Sequence, residues 1–201
     1  MRNAHKIDSP TFLSSEELLE RLCSKTFAYI LEEEISLGDA VVRVARDNMF
    51  EFFKILKEEA ELQFNSLSSV TCVDWMDLRP DRFEMIYHVY SFFNHCRLRV
   101  KINVPERKAE VDSLCSLWSS ANFMEREVWD MYGISFKGHP NLKRILMYEE
   151  FVGHPLRKDY PLRGKQPRVA LRHPEVSNSA RDMSRSPLVQ IKTLKNTQES
   201  I

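Results

Sequence analysis

Residues Arg97 to Val104 read RLRVKINV, apolar at every even-numbered position and polar at every odd one. A period of two sends successive side chains to opposite faces, so this run is a strand with one dry and one wet face. Its neighbours upstream are also strand-like. Phe83 to Phe93 is dense in Tyr, Phe and β-branched residues and meets RLRVKINV across Asn94-His95. Leu67 to Trp75 carries Val70, Thr71 and Val73, and Leu78-Arg79-Pro80-Asp81 turns the chain into the next run. Three strands joined by short turns predict an antiparallel meander.

Helices are expected on both sides of this meander. Ser14-Ser15-Glu16-Glu17 offers a hydroxyl cap and first-turn acids ahead of Leu18, Leu19 and Leu22 at helical spacing. Phe27 to Leu31 reads as a short strand, Gly38-Asp39 as a turn, and Val41 to Arg46 as a second alternating strand. Asp47 or Asn48 can cap a helix bearing Phe52, Phe53, Leu56 and Ala60. Pro105 suits a first helical position, with Val111, Leu114, Cys115 and Trp118 following on one face of a helix that covers the sheet. The fold class is α+β, a mainly antiparallel sheet covered by helices. Beyond Gly133 the prolines at 140, 155, 161, 167, 174 and 187 and the loss of periodicity predict an extended Pro-rich C-terminal arm. We therefore expect a globular domain over 1–135, and a docking arm with a polar tail over 136–201.

Composition narrows the function. Three Trp and twelve Phe in 201 residues exclude a wholly disordered chain. No apolar run reaches the roughly 18 residues of a membrane span, and the N-terminus lacks the apolar core of a secretory signal. Cys23, Cys72, Cys96 and Cys115 contain no Cys-x-x-Cys pair, so they read as reduced thiols and not as a zinc ribbon or iron–sulfur site. The zero formal net charge divides unevenly. Residues 151–201 hold ten Lys and Arg against four Asp and Glu, leaving nineteen against twenty-five before them. A basic stripe over the aromatic strand Tyr87 to Phe93 would suit nucleic acid, but the body is acidic, so no nucleic-acid partner is expected.

The segment with the most functional content begins at Asn122. Asn122 and Glu125 can form a capping arrangement and Gly133 a left-handed stop, giving a helix from Phe123 to Tyr132. Met124, Val128 and Met131 share one side of it. Arg126 and Asp130 share the other, flanked by Glu127 and Trp129, a composition suited to docking. Downstream, Gly-His-Pro occurs twice, fifteen residues apart. Each Pro pushes His139 or His154 toward extended backbone. Metal ligation by this pair would need a third ligand such as Asp159 or Cys96, and the spacing matches no standard metal site. A phosphate loop of the Gly-x-x-x-x-Gly-Lys type is absent.

The residues Glu125-Arg126-Glu127, Asp130-Met131-Tyr132, His139, Lys143 and Ile145-Leu146, with GHPLRKDYPL at Gly153 to Leu162, closely resemble the family of unfused C subunits of NADH:quinone oxidoreductase, respiratory complex I. The matching block covers about 123–162, and the upstream α+β pattern agrees. This resemblance implies a peripheral hydrophilic subunit with no catalytic residue and no cofactor of its own, the flavin and iron–sulfur clusters lying in partner subunits. It implies docking among other peripheral-arm subunits, chiefly the large one that forms the quinone pocket. The complex would couple electron transfer from NADH to quinone with proton translocation. The chain would sit at the cytoplasmic face of a bacterial inner membrane, or the matrix face in an organelle, and meet the membrane only through the complex. As interface residues we take Glu125, Arg126, Glu127, Trp129, Asp130, His139, Arg144, His154, Arg157, Lys158 and Asp159. The runner-up is the equivalent subunit of a membrane-bound hydrogenase-type complex. A stand-alone metallohydrolase built on His139, His154 and Asp159 is the remaining rival.

Overall fold

The computed structural model describes residues 12–163 and residue 166; the N-terminal stretch and the predicted polar tail lie outside the described residues. Among the described residues, seven strands and three α-helices follow in the order α1 (Ser15–Thr26), β1 (Ile30–Ser36), β2 (Asp39–Val44), α2 (Met49–Glu58), β3 (Ser66–Asp74), β4 (Phe83–Ser91), β5 (Cys96–Val104), β6 (Glu110–Asp112), α3 (Ala121–Tyr132) and β7 (Ser135–Lys137). The predicted meander is present: β3 pairs β4 and β4 pairs β5, both antiparallel. The sheet extends beyond it in the order β1-β2-β5-β4-β3, with β2 lying parallel to β5, so the α+β fold has a mixed, mostly antiparallel sheet.

RLRVKINV supplies the centre of the sheet. Leu98, Val100, Ile102 and Val104 are buried in one core with Val42 and Val44 of β2 and Met85, Tyr87 and Val89 of β4. α1 contributes Leu18 and Leu22, and α2 contributes Met49, Phe52, Phe53 and Leu56. Each such side chain, once fully buried, is worth roughly 1.5–3 kcal/mol of removal from water. The odd positions fill the other face, where Arg99 lies opposite His88 and Lys101 opposite Arg43. Arg43 reaches Glu32 at 2.9 Å and Glu84 at 2.8 Å, and Lys101 reaches Glu34 at 2.9 Å, so the wet face is internally paired. At the outer edge, β1 shows exposed Glu32, Glu33 and Glu34, charges that discourage strand addition by another chain. The β1–β2 hairpin turns through Leu37 (φ 54°) and Gly38 (φ 87°), the two positive φ values of a tight hairpin.

Several local expectations fail for physical reasons. Phe27–Tyr29 is a 3₁₀ turn, and the strand begins at Ile30. Ala60 lies past the end of α2, and Asn48 precedes α2 without a side-chain capping bond. The largest departure is 105–118, where no α-helix forms. A 3₁₀ turn at Glu106–Lys108 leads into β6, which pairs in parallel with β7 through Val111 and Phe136. Leu114 and Trp118 enter the core from a following turn closed by Trp118 N–H to Leu114 C=O at 2.9 Å. Apolar residues three and four apart satisfy helical spacing while serving a strand and a turn. By contrast, Ser14 caps α1 as expected and forms a capping box with Glu17.

Candidate functional site

α3 packs against β3 and buries Ala121, Val128 and Met131. It starts after Ser120, so Asn122 is not its cap, and Gly133 ends it at φ 76° in the left-handed region. Two of the charged residues of α3, Glu125 and Asp130, do not lie on its wet side. Glu125 is fully buried; its carboxylate accepts hydrogen bonds from Ser113 Oγ at 2.6 Å and Leu114 N–H at 2.7 Å, tying the helix to the loop after β6. Burial pushes this carboxyl above the usual range, only partly offset by those donors.

Asp130 is fully buried as well, so it does not face outward beside Arg126. The segment 138–163 folds back over this side of the helix as a strap, and Asp130 is the centre of that closure. Its Oδ2 accepts the successive N–H groups of Ile145 (3.1 Å), Leu146 (2.9 Å) and Met147 (2.8 Å), while Arg144 donates to Oδ1. Burial alone would raise its pKa. The backbone donors and Arg144 outweigh that and hold the carboxyl below the ordinary Asp value. Arg144 also donates to the carbonyls of Phe151 (2.9 Å) and Gly153 (3.0 Å) and lies 5.6 Å from the Trp129 ring centre. Arg126 makes no pair with Asp130 here; it donates to the carbonyls of Lys143 and Arg144 at 3.0 and 2.9 Å.

The second Gly-His-Pro seats the strap on the helix C-terminus. His154 Nδ1–H donates to the Asp130 carbonyl at 3.0 Å, Leu156 N–H to Met131 C=O at 3.1 Å, and Arg157 Nε to Tyr132 C=O. These donors satisfy carbonyls that a helix end leaves open. The approach is so close that a Cβ on Gly133 would lie 2.5 Å from His154 Nε2 and 2.6 Å from Arg157 Nη2. The first Gly-His-Pro serves the other end of α3, where His139 Nε2 meets the Asn122 carbonyl at 3.1 Å. Eight residues separate Asn122 from Asp130 along the helix, about 12 Å, so the structure does not bring His139 and His154 together as ligands.

A last fastening joins the strap to the sheet. Arg82 is buried, and it reaches Asp74 at 2.9 Å, Asp159 at 2.7 Å, and Glu106. Lys158 contributes its backbone N–H to Asp74 at 2.8 Å, not its ammonium. Arg82 and Asp74 escape a sequence reading because a buried arginine between two strands has no local signature. Of the sequence-predicted residues, Glu127 is exposed and Trp129 half-buried, whereas Arg126, Arg144, His154, Arg157 and Asp159 are engaged within the chain. The strap turns its own apolar residues outward instead. Leu146, Val152 and Leu156 are 58, 67 and 50% exposed, with Phe123 of α3 also exposed. Among the described residues, no helix is long and apolar enough to cross a membrane.

The sequence profile of the respiratory-chain NADH dehydrogenase 30 kDa subunit matches residues 42–166. This chain belongs to that family. Within the 30 kDa family, the C subunit of the NADH-quinone oxidoreductase of Geobacter sulfurreducens is 44% identical over 144 residues, 72% of this chain and 88% of the relative. The corresponding C subunit of a Roseiflexus species is 43% identical over 150 residues, 75% of this chain and 86% of the relative. Among solved structures, the trypsin-resistant fragment (1–134) of Nqo5 superposes with a TM-score of 0.55 at 33% identity, covering 63% of this chain and 98% of the fragment. A chain of the membrane-bound sulfane sulfur reductase, an archaeal respiratory membrane complex, superposes at 0.61 with 25% identity, covering 73% of this chain and 85% of that one. The 30 kDa profile begins within β2 and ends at the last described residue, so it spans β3, β4, β5, α3 and the strap and leaves out α1 and β1.

Proposed function

We propose that this chain is a non-catalytic subunit of the peripheral arm of a proton-translocating NADH:quinone oxidoreductase. It docks against the large subunit that forms the quinone pocket and holds that subunit in place beside its neighbours. Flavin and iron–sulfur clusters belong to the partners, and the chain lies at the cytoplasmic membrane face, or the matrix face in an organelle. The observation that carries the reading is the strap. Asp130, Arg144, Arg82 and the α3 carbonyls fix an irregular backbone, and that rigid backbone displays Leu146, Val152 and Leu156 to solvent. A pre-ordered apolar row spares a partner the entropy of folding the segment, which suits permanent assembly. The relatives named for quinone reduction stand at 41–48% identity against 25% for the sulfane sulfur reductase, which favours the quinone complex over a hydrogenase-type one. Purification of the chain from membranes dissolved in mild detergent tests this. NADH:quinone oxidoreductase activity and the large quinone-pocket subunit should co-purify; recovery of the chain alone overturns the proposal.

A further inference from the structure

Cys115, Glu125 and His139 come from three parts of the fold: the loop after β6, the middle of α3 and the turn after β7. One candidate ligand atom from each lies within 4.8 Å of the other two. The hydrogen-bond donors to the Glu125 carboxylate are the Ser113 hydroxyl, the Leu114 N–H and, at 3.5 Å, the Cys115 thiol, and none of these carries a positive charge. A desolvated carboxylate is costly, and its one titratable basic neighbour in the cluster is the His139 ring; a bound cation would lower that cost. His139 is set for ligation. Asn141 N–H donates to Nδ1 at 3.0 Å, which places the ring proton on Nε2, and Nε2–H then donates to the Asn122 carbonyl at 3.1 Å. A metal-binding imidazole likewise has one nitrogen held by a backbone carbonyl; here the Nδ1 lone pair that would meet an ion accepts the Asn141 N–H instead.

We propose that Cys115, Glu125 and His139 bind one divalent ion of the zinc class, with a water completing four-coordination. Thiolate, carboxylate and imidazole are the ligand types that zinc takes. Bonds of about 2.0–2.3 Å place tetrahedral donors about 3.3–3.8 Å apart, so the cluster closes by roughly 1 Å. Cys115 and His139 are both half-buried, and rotation of these two side chains would make up the difference. On binding, the Cys115 S–H bond breaks, its proton goes to solvent, and the sulfur lone pair forms the bond to the ion. His139 Nδ1 exchanges the Asn141 N–H for the ion, and Nε2–H stays on Asn122. The ion then pins the β6 loop, α3 and the beginning of the strap to one another.

The test uses the full chain, stripped with chelator and titrated with Zn²⁺ by calorimetry, with Co²⁺ as a spectroscopic probe. One Zn²⁺ per chain and a near-ultraviolet thiolate-to-Co²⁺ charge-transfer band are expected. Cys115→Ser keeps a hydroxyl toward Glu125, so it should stay folded by circular dichroism while losing the band. His139→Gln should weaken Zn²⁺ binding by at least about tenfold, the lower bound for losing even an outer partner of a metal ligand. Absence of stoichiometric binding, absence of the Co²⁺ band, or equal binding by both variants overturns the proposal.

Discussion

Asp130 shows how much of the strap depends on one side chain. A buried carboxylate survives only if its oxygens are filled, and here Arg144 and three consecutive backbone N–H groups fill them. Asp130→Asn keeps the shape but replaces an acceptor with a donor aimed at N–H groups and strands Arg144. Breaking a buried pair in this way costs about 3–5 kcal/mol, and the loss is expected in the urea midpoint. The pH dependence has a definite sign. Because the folded Asp130 pKa is depressed, its stabilisation is complete above the unfolded carboxyl value near 3.9 and is lost as pH falls through the lower folded value. Between those values the unfolded chain binds more protons, so stability rises with pH, and the acid limb of urea unfolding should be shallower in Asp130→Asn. Glycine makes a second, separable prediction. Gly38 and Gly133 both hold positive φ, but only Gly133 would drive a Cβ into other atoms. Gly38→Ala should therefore cost only the about 1–2 kcal/mol of left-handed strain. Gly133→Ala should cost clearly more under the same denaturant titration, since His154 and Arg157 must withdraw from the helix end.

The central strand of the meander is legible in the sequence because one face meets the core and the other meets paired charge, a contrast written as a period of two in RLRVKINV; its two neighbours are legible from β-branched and aromatic content and from the turn between them. Segments that lack such a contrast mislead. Val111, Leu114 and Trp118 have helical spacing by coincidence, since a parallel β6–β7 pair and a turn bury them instead, and a partner strand twenty-five residues downstream leaves no local mark. The charged residues of α3 mislead for a related cause: Arg126 and Asp130 read as one outward side until the strap buries Asp130, and Glu125 reads as a capping partner of Asn122 until the loop after β6 covers it. The fastening at Arg82 leaves no mark in the sequence as a cluster, since Asp74 lies eight residues away, Glu106 twenty-four and Asp159 seventy-seven. Arg82→Met leaves the buried Asp74 without its cation, a loss of about 3–5 kcal/mol by the same argument. Because Asp159 and the Lys158 N–H fasten the strap beside Arg82, trypsin cleavage after Lys158 and Arg163 should accelerate in this variant. Unchanged cleavage would mean that the fastening at the α3 C-terminus holds the strap unaided.

Internal fastening and the proposed docking make opposite demands on a residue. Asp130, Arg144 and Arg126 are engaged within the chain, where their loss is felt as folding stability; the apolar side chains of Leu146, Val152 and Leu156 are exposed, where they contribute little to it. Reversing charge at Arg126 and Asp130 is therefore a poor probe of docking, because Asp130 is buried and the variant would unfasten the strap before any partner is consulted. Leu146→Glu combined with Leu156→Glu is the cleaner probe. Both positions are at least half exposed, and substitutions on such surfaces shift folding stability by only about 0.5 kcal/mol. Against a partner, the same two carboxylates would be buried without counter-charges, a cost of several kcal/mol, or at least about a hundredfold in affinity at 1.4 kcal/mol per factor of ten. The double variant should keep the urea midpoint and circular dichroism of the unsubstituted chain while disappearing from the high-mass NADH-oxidising band on a native gel. Retained assembly with normal folding would mean that the partner covers another surface, with the wet face of the five-stranded sheet the next to test through Arg99 and Lys101.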